Sequence, residues 1–209
     1  MTGDLSVQLV SAWHDTSGIE LTAAALAVLY LILAIQQRLS CWLAAFISSC
    51  LYVWVFFHAR LYMESVLNVF YAAMAVYGFW QWQRGRGGAA LAVTRWPIAR
   101  HARALLGVLA LSVVNSFFLA RFTPAASPFV DSMVTWSSVF GTFLVARKVY
   151  ENWYWWLVID SVSLCLSFTR HLYVTVLLFA LYLIFIVLGM REWRRSMAVN
   201  TQAAPNAAA

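Results

Sequence analysis

The stretch that decides the fold is "CWLAAFISSCLYVWVFFHARLYMESVLNVFYAAMAVYGFWQWQR", residues 41–84, because its pattern returns later in the chain. Residues 152–195, "NWYWWLVIDSVSLCLSFTRHLYVTVLLFALYLIFIVLGMREWRR", match it without a gap at an offset of 111 positions. Self-similarity at a fixed offset indicates an internal repeat. The same offset places Glu20 on Asp131, so the repeat begins with the first apolar run. Identical pairs include Trp42 with Trp153, Phe57 with Phe168, Leu61 with Leu172, Tyr62 with Tyr173, Tyr71 with Tyr182, Gly78 with Gly189 and Trp82 with Trp193.

The composition is that of a membrane protein. Of 209 residues, 63% are hydrophobic and 11% are charged, whereas soluble domains have about 25% charged residues. Apolar runs of the length needed to cross a bilayer, about 17–25 residues, recur along the chain. We predict an all-α polytopic membrane protein with seven transmembrane helices, and Asp4 and Asp15 argue against a cleaved signal peptide. The predicted spans are 19–37, 41–57, 63–82, 103–120, 128–146, 153–169 and 172–190.

The repeat and the spans together predict a 3+1+3 arrangement. Three helices reverse the direction of the chain across the membrane, so a fourth helix is needed before the second copy can enter in the same orientation. The copies are then parallel repeats about an axis near the membrane normal, as in transporters whose substrate lies near the midplane between repeats. The predicted parts are an N-terminal segment 1–18, a first repeat 19–84, a loop with a connector helix 85–127, a second repeat 128–195 and a disordered tail 196–209.

The basic residues predict the orientation, because short cytoplasmic loops are rich in Lys and Arg. With the N-terminus outside, eleven of the 14 basic residues fall inside and only Arg60, Arg121 and Arg170 fall outside. We expect a periplasmic N-terminus and a cytoplasmic C-terminus. Five of the eight acidic residues fall outside. Either acidic residues simply avoid the inner side, or they form an outer vestibule that attracts cations. The inner residues are Arg38, Arg84, Arg86, Arg95, Arg100, Arg103, Arg147, Lys148, Arg191, Arg194 and Arg195.

Polar side chains recur at three- and four-residue spacing on three predicted helices, which places each set on one helix face. Such faces turn toward other helices or a cavity rather than lipid. For the serines and threonines we favour hydrogen bonding between helices. Trp153 and Trp193, near helix ends, also suit an interfacial aromatic belt. The sets are Glu64, Asn68, Tyr71 and Gly78; Asp131, Thr135, Ser138 and Thr142; and Asn152, Trp153, Trp156, Asp160, Ser163 and Ser167.

Trp156 and Asp160 form the sharpest candidate site. An aspartate at the bilayer centre costs about 2.5–3.5 kcal/mol, so its presence there predicts a function. One turn apart on one face, the two side chains offer a π surface and an anion, which suit a flat heteroaromatic cation. No Lys or Arg lies inside an apolar run. We therefore expect an unphosphorylated substrate.

Other chemistries lack their residues. The spacing of Cys41, Cys50 and Cys165 fits neither a metal site nor a disulfide framework, and no two histidines are four residues apart. "RGRGG" lacks the features of a nucleotide-binding loop, and Lys148, the only lysine, lies at a run end, which excludes a retinal Schiff base. No serine elbow is present. We predict no enzyme, no metal, no cofactor and no nucleic-acid partner.

These residues resemble the PnuC family of bacterial vitamin transporters over roughly residues 19–84 and 128–195. The resemblance lies in the Asp-Ser that opens "DSMVTW", in "ARK", in "ENWYWW" and in the repeated Leu-Tyr. It implies a fold similar to a full-length SWEET, usually a homotrimer in the bacterial inner membrane. It also implies uptake of unphosphorylated vitamin precursors, principally nicotinamide riboside, by facilitated diffusion, followed by trapping by a cytoplasmic kinase.

The resemblance also implies site residues. Asn152, Trp153 and Trp156 match the substrate-stacking motif, and Asn68 with Tyr71 matches a polar pair in the third helix. Nicotinamide riboside transporters tend to carry Asn where this chain has Asp160, whereas thiamine transporters of the family look closer to "WLVIDSVS", so thiamine is the alternative substrate. A seven-helix sensor or scaffold and a sugar-carrying SWEET are weaker alternatives. The full candidate set is Asn152, Trp153, Trp156, Asp160, Asn68, Tyr71, Tyr182 and Glu64.

Overall fold

The computed structural model describes residues 18–85, 91–123, 127–170 and 172–206, which form seven helices and confirm the all-α prediction. Asp4, Asp15 and Arg86, used in the sequence predictions, lie outside the described residues. The helices are α1 (Gly18–Ile35), α2 (Cys41–His58), α3 (Tyr62–Arg84), α4 (Ile98–Phe122), α5 (Pro128–Ala146), α6 (Asn152–Thr169) and α7 (Tyr173–Asn206).

Two helices, α4 and α7, extend well beyond their predicted bounds, whereas the others agree within two residues at each end. α4 begins at Ile98 rather than residue 103, because Pro97 precedes it in an extended conformation and Pro fixes its own backbone angle. α7 continues to Asn206, so residues 196–206 are helical where we predicted a disordered tail. Charged residues end the apolar run after Met190, but no Gly or Pro follows until Pro205 to stop the helix.

Five helices are long and apolar enough to cross a membrane: α1, α2, α4, α5 and the Thr175–Val199 part of α7. α3 and α6 have 23 and 18 residues, so composition rather than length sets them apart. Asn68 in α3, and Asn152 and Asp160 in α6, lower the hydropathy of these two helices. Seven of the eight candidate site residues lie on these two helices, and the eighth, Tyr182, lies on α7.

Six helices close into a ring. The packing order is α1, α2, α3, α5, α6, α7 and back to α1. Outside the ring, α4 packs on α5, and its His101 accepts a hydrogen bond from Trp155 of α6 at 3.3 Å. We call residues 19–84 the first segment and residues 128–195 the second segment. The ring closes where the segments meet, through α3 against α5 and α1 against α7.

Four tryptophans, Trp42, Trp82, Trp153 and Trp193, form a cluster between the segments. We call two residues that lie 111 positions apart offset partners, and the offset partners in this cluster make matching contacts. The ring centroids of Trp42 and Trp82 are 5.4 Å apart at 86°, and those of Trp153 and Trp193 are also 5.4 Å apart at 86°. Trp82 and Trp193 meet at 6.3 Å. A Cβ at Gly78 would overlap the Trp42 indole, and one at Gly189 would overlap Trp153.

Hydrogen bonds cross between the segments in the same matched way. Trp82 Nε1 donates to the carbonyl of Val145 at 3.2 Å, and Trp193 Nε1 donates to the carbonyl of Ala34 at 3.1 Å. Both acceptors are offset partners, and each lies in the last turn of α1 or α5. The two indoles therefore join each segment to the other.

The turns after α1 and α5 also correspond. Gln37 and Lys148 have positive φ angles of 56° and 48° and donate their backbone N–H groups to Ala34 and Val145 at 3.0 and 2.9 Å. Lys148 Nζ donates to Gln37 Oε1 at 3.4 Å and lies 4.3 Å from the Trp82 ring centroid. Burial lowers the pKa of Lys148 below its usual value.

Glu151, which opens the "ENWYWW" motif, anchors the segment that precedes α4. Its Oε2 accepts a hydrogen bond from the Trp96 backbone at 3.1 Å and lies 3.7 Å from His101 Nε2. Next to it, Thr94 pairs with the α5–α6 turn, donating to Lys148 at 2.9 Å and accepting from Tyr150 at 2.8 Å. These contacts fix the start of α6, the helix of Trp156.

Candidate functional site

The ring encloses a cavity of about 390 Å³. All six ring helices contribute to its walls, and α4 does not. Its size lies within the range of about 300–1,000 Å³ that is typical of small-molecule sites. The principal aromatic and polar lining residues are Tyr30, Trp42, Ser48, Ser49, Tyr52, Asn68, Tyr71, Ser138, Thr142, Asn152, Trp153, Trp156, Asp160, Ser163, Phe179 and Tyr182.

The structure brings seven of the eight candidate residues to this cavity: Asn68, Tyr71, Asn152, Trp153, Trp156, Asp160 and Tyr182. Glu64 does not line it. The Glu64 side chain is exposed in the first turn of α3, and only its backbone carbonyl contacts the set, accepting from Asn68 Nδ2 at 2.9 Å. The expectation that Glu64 shares the inward face is therefore wrong, because the face leaves the cavity one turn before Asn68.

Asp160 supplies the charge of the site. Its side chain is buried, with 5% of its surface exposed, and it is the only charged side chain among the described residues that line the cavity. The walls around it are mostly aromatic, aliphatic or hydroxyl-bearing. An uncompensated buried carboxylate is costly, so a cation that enters this cavity gains a strong electrostatic partner.

Trp156 supplies a flat aromatic surface one turn from Asp160. It is half-buried and lines the cavity. Its indole lies against the backbone of α5 at Gly141, where a Cβ would come within 3.2 Å of Cε2. A ring held in this way offers a flat surface for stacking, one turn from the carboxylate of Asp160.

Three lining residues have buried polar atoms without a hydrogen-bond partner: Trp42 Nε1, Trp153 Nε1 and Asn152 Oδ1. They make up half of the six such atoms among the described side chains, and unpartnered buried polar atoms are rare in native proteins. Asn152 Nδ2 donates to the carbonyl of Val149 at 2.7 Å, which fixes the amide. The cavity wall thus holds two free donors and one free acceptor.

Two hydroxyl groups of α5, those of Ser138 and Thr142, donate within their own helix. Ser138 donates to Val134 and Thr142 donates to Ser138, both at 2.8 Å. Both residues line the cavity. Their donated hydrogen bonds do not join helices, although the Ser138 side chain also interacts with the Tyr71 hydroxyl of α3. Donated hydrogen bonds between helices come from others, such as Ser48, which donates to Ala23 at 2.8 Å, and Asn115, which donates to Ser132 at 3.0 Å.

Trp193 and Trp153 are not belt residues. Trp193 is fully buried, Trp153 is 2% exposed, and their rings pack edge to face. A residue near the end of an apolar run need not lie at the membrane surface, because α7 continues beyond Trp193 to Asn206. Trp153 forms part of the cavity wall and Trp193 supports it from behind.

Sequence reasoning missed the lining residues of α1 and α2. Tyr30 and Tyr52 occupy apolar runs that carry no polar stripe, and Ser48 and Ser49 look like ordinary small residues there. Their offset partners are Gly141, Ser163, Ile159 and Asp160. All of these except Gly141 also line the cavity. Applying the offset to the candidate residue Asp160 would have identified Ser49, and applying it to Ser163 of the polar stripe would have identified Tyr52.

Comparison with known proteins gives a family-level match. The chain matches the family model described as nicotinamide mononucleotide transporter over residues 17–195. The nicotinamide riboside transporter PnuC of Escherichia coli (strain K12) is 26% identical, with 88% of this chain and 87% of that protein covered. The riboflavin/roseoflavin transporter RibM of Streptomyces davaonensis is also 26% identical, with 87% and 84% covered.

A solved structure shows the same fold. The crystal structure of the vitamin B3 transporter PnuC superposes with a TM-score of 0.70 at 20% sequence identity, and the match covers 91% of this chain and 87% of that one. At this identity the likeness extends to the arrangement of helices and not to the ligand.

Proposed function

Because this chain belongs to the PnuC family of vitamin transporters, we propose that it imports an unphosphorylated, cationic vitamin precursor, nicotinamide riboside, by facilitated diffusion. The observation that carries the proposal is the presence of Trp156 and Asp160 on one face of α6 inside the cavity. Nicotinamide riboside has a flat pyridinium ring, which suits both side chains.

The charge of the cavity favours the riboside over the mononucleotide named in the family description. A phosphate needs cationic partners when it leaves water, and Asp160 is the only charge among the described lining residues. A phosphate placed beside Asp160 would add repulsion to the cost of desolvation. An unphosphorylated cation avoids both.

Thiamine is the second candidate. It is also a flat aromatic cation, and its aminopyrimidine can donate a hydrogen bond to the carboxylate of Asp160. Riboflavin, the vitamin named for one relative at 26% identity, is uncharged and gains no ionic attraction from Asp160. We therefore place it behind the two cations.

We propose the 3+1+3 parallel repeat, with seven membrane spans, as the architecture that carries transport. The matched Trp82 and Trp193 hydrogen bonds support it, as do the matched turns at Gln37 and Lys148. Rocking of one repeat against the other would open the cavity to each side in turn. In this proposal the protein is a homotrimer in the bacterial inner membrane, with a periplasmic N-terminus and a cytoplasmic C-terminus. A cytoplasmic kinase then traps the imported vitamin by phosphorylating it.

The test is titration calorimetry on the purified protein with nicotinamide riboside, thiamine, riboflavin and nicotinamide mononucleotide. We expect the two cations to bind and the mononucleotide to fail. Asp160→Asn should weaken thiamine clearly, because a charge-assisted hydrogen bond is lost, and should spare nicotinamide riboside, whose family transporters tend to carry Asn at this position. Asp131→Asn is the matched control, since Asp131 lies outside the cavity lining and pairs with Arg170.

Uptake into reconstituted vesicles separates a transporter from a sensor or scaffold. The proposal requires the vitamin that binds to cross the membrane without an ion gradient. Binding without uptake would favour the sensor, and a wild-type protein that binds none of the four compounds would refute the substrate class.

A further inference from the structure

Gly141 of α5 lies directly behind the Trp156 ring. A Cβ built at Gly141 would lie 3.2 Å from Trp156 Cε2 and 3.3 Å from Nε1. These separations are shorter than ordinary van der Waals contact, so any larger residue would push the indole outward by a few tenths of an ångström. Gly141 itself is buried in a regular helix, where glycine is unfavourable by roughly 0.5–1 kcal/mol relative to alanine. Its presence there calls for a steric reason.

The first segment reverses the sizes at the same two positions. The offset partner of Gly141 is Tyr30, and the offset partner of Trp156 is Ala45. Tyr30 and Ala45 both line the cavity, as Trp156 does. Tyr30 is held in place by the Trp42 indole, with ring centroids 5.9 Å apart. One segment thus places its large ring on the first helix of the segment and the other on the second helix.

From this exchange, and resting on the proposed vitamin transport, we propose that Gly141 is a specificity-determining position. It lets the Trp156 ring lie back against α5, and the site has two unequal aromatic walls, Trp156 from the second segment and Tyr30 from the first. Gly141 acts as a positioning residue, whereas Tyr30 and Trp156 contact the ligand ring.

The two walls limit the ring thickness and width that the site accepts. Because Trp156 lies against backbone rather than against a side chain, it occupies less of the space between the walls. An alanine at 141 would push the indole away from α5 and narrow the space left in the cavity. A ligand with a wide fused ring system then loses more than one with a single six-membered ring.

The first experiment compares Gly141→Ala with Gly107→Ala by calorimetry, using whichever of the vitamins the wild-type protein binds. Gly107 is a matched control, because it is also a helical glycine and a Cβ there meets nothing within 4 Å. We expect Gly141→Ala to weaken binding about fivefold or more, because the displaced indole occupies space that the ligand needs, and Gly107→Ala to bind as the wild type does.

A double variant distinguishes positioning from helix packing. In the Trp156→Phe background, whose smaller ring leaves room for a Cβ, Gly141→Ala should cost little. If the penalty persists unchanged in that background, Gly141 acts on packing alone and the inference is overturned.

Tyr30, the second aromatic wall, provides a test that does not need a folded Gly141 variant. Tyr30→Ala should weaken binding about fivefold, within the range of aromatic pairing energies, while Tyr30→Phe should keep it. Equal binding by Tyr30→Ala and the wild type would refute the proposal that Tyr30 forms a second aromatic wall of the site. If the wild type binds a vitamin but Gly141→Ala behaves as Gly107→Ala does, this inference fails and vitamin transport stands. If the wild type binds none, both fail.

Discussion

Truncation of Trp193 should destabilise the whole protein. Trp193 has no exposed surface, donates a hydrogen bond to Ala34 at 3.1 Å and packs on two other indoles. Trp193→Ala removes all of these contacts and leaves a cavity between the segments, and large aromatic truncations in cores cost about 3–5 kcal/mol. Trp193→Phe keeps a ring and mainly loses the hydrogen bond, which is worth about 1 kcal/mol.

The assay is thermal unfolding of the purified protein in detergent. For a chain of this size about 1 kcal/mol corresponds to about 2–4 °C, so Trp193→Ala should lower the Tm by roughly 10 °C and Trp193→Phe by a few degrees. Trp54→Ala is the matched control, since the Trp54 side chain is 55% exposed. Trp193→Ala should also weaken vitamin binding, because Trp153 loses its support. If Trp193→Ala and Trp54→Ala shift the Tm equally, Trp193 is a belt residue after all.

Three further predictions address the site and the topology. Trp156→Ala should weaken vitamin binding about tenfold, since desolvated cation–π stacking contributes on the order of 1–2 kcal/mol. Trp54→Ala should bind normally in the same calorimetric titration, and equal losses of affinity in the two variants would mean that general packing explains both. Glu64→Gln should leave the dissociation constant unchanged, and a clear loss would show that the exposed carboxylate reaches the ligand. A reporter fused after Arg195 should be cytoplasmic and one within residues 14–18 periplasmic; both on one side would contradict seven spans and the parallel repeat.

The sequence predicted the helices well because apolar runs, Pro and turn residues leave local signals. α5 has the predicted bounds 128–146, since Pro128 starts it and Arg147 ends its apolar run. The offset predicted which residues correspond, and the matched tryptophan contacts follow it. α7 was predicted too short, because loss of hydrophobicity after Met190 ends a membrane span without ending a helix.

The site was predicted in part, for a physical reason. Ionisable and amide groups such as Asp160 and Asn152 are conspicuous in apolar helices, so their inward direction can be inferred from cost. Tyr30 and Gly141 carry no such cost and are recognised only when their neighbours across the ring are known. Glu64 was misplaced because helical spacing gives a shared face but not the depth at which the face leaves the cavity.

The crossed hydrogen bonds of Trp82 and Trp193 have a consequence for biosynthesis. When the ribosome has made residues 1–84, the Trp82 indole lacks its acceptor, because the carbonyl of Val145 has not been synthesised. The carbonyl of Ala34 receives its hydrogen bond later still, after Trp193 near the end of the chain has been synthesised. The first three helices therefore enter the bilayer as an open, incompletely bonded bundle, and the protein acquires its final stability only when the last helix docks beside the first. If the chain were divided within residues 86–90 and the two parts were synthesised separately, each part would hold one indole donor and one carbonyl acceptor for the other. The hydrogen bonds that complete folding would then also direct the association of the two parts.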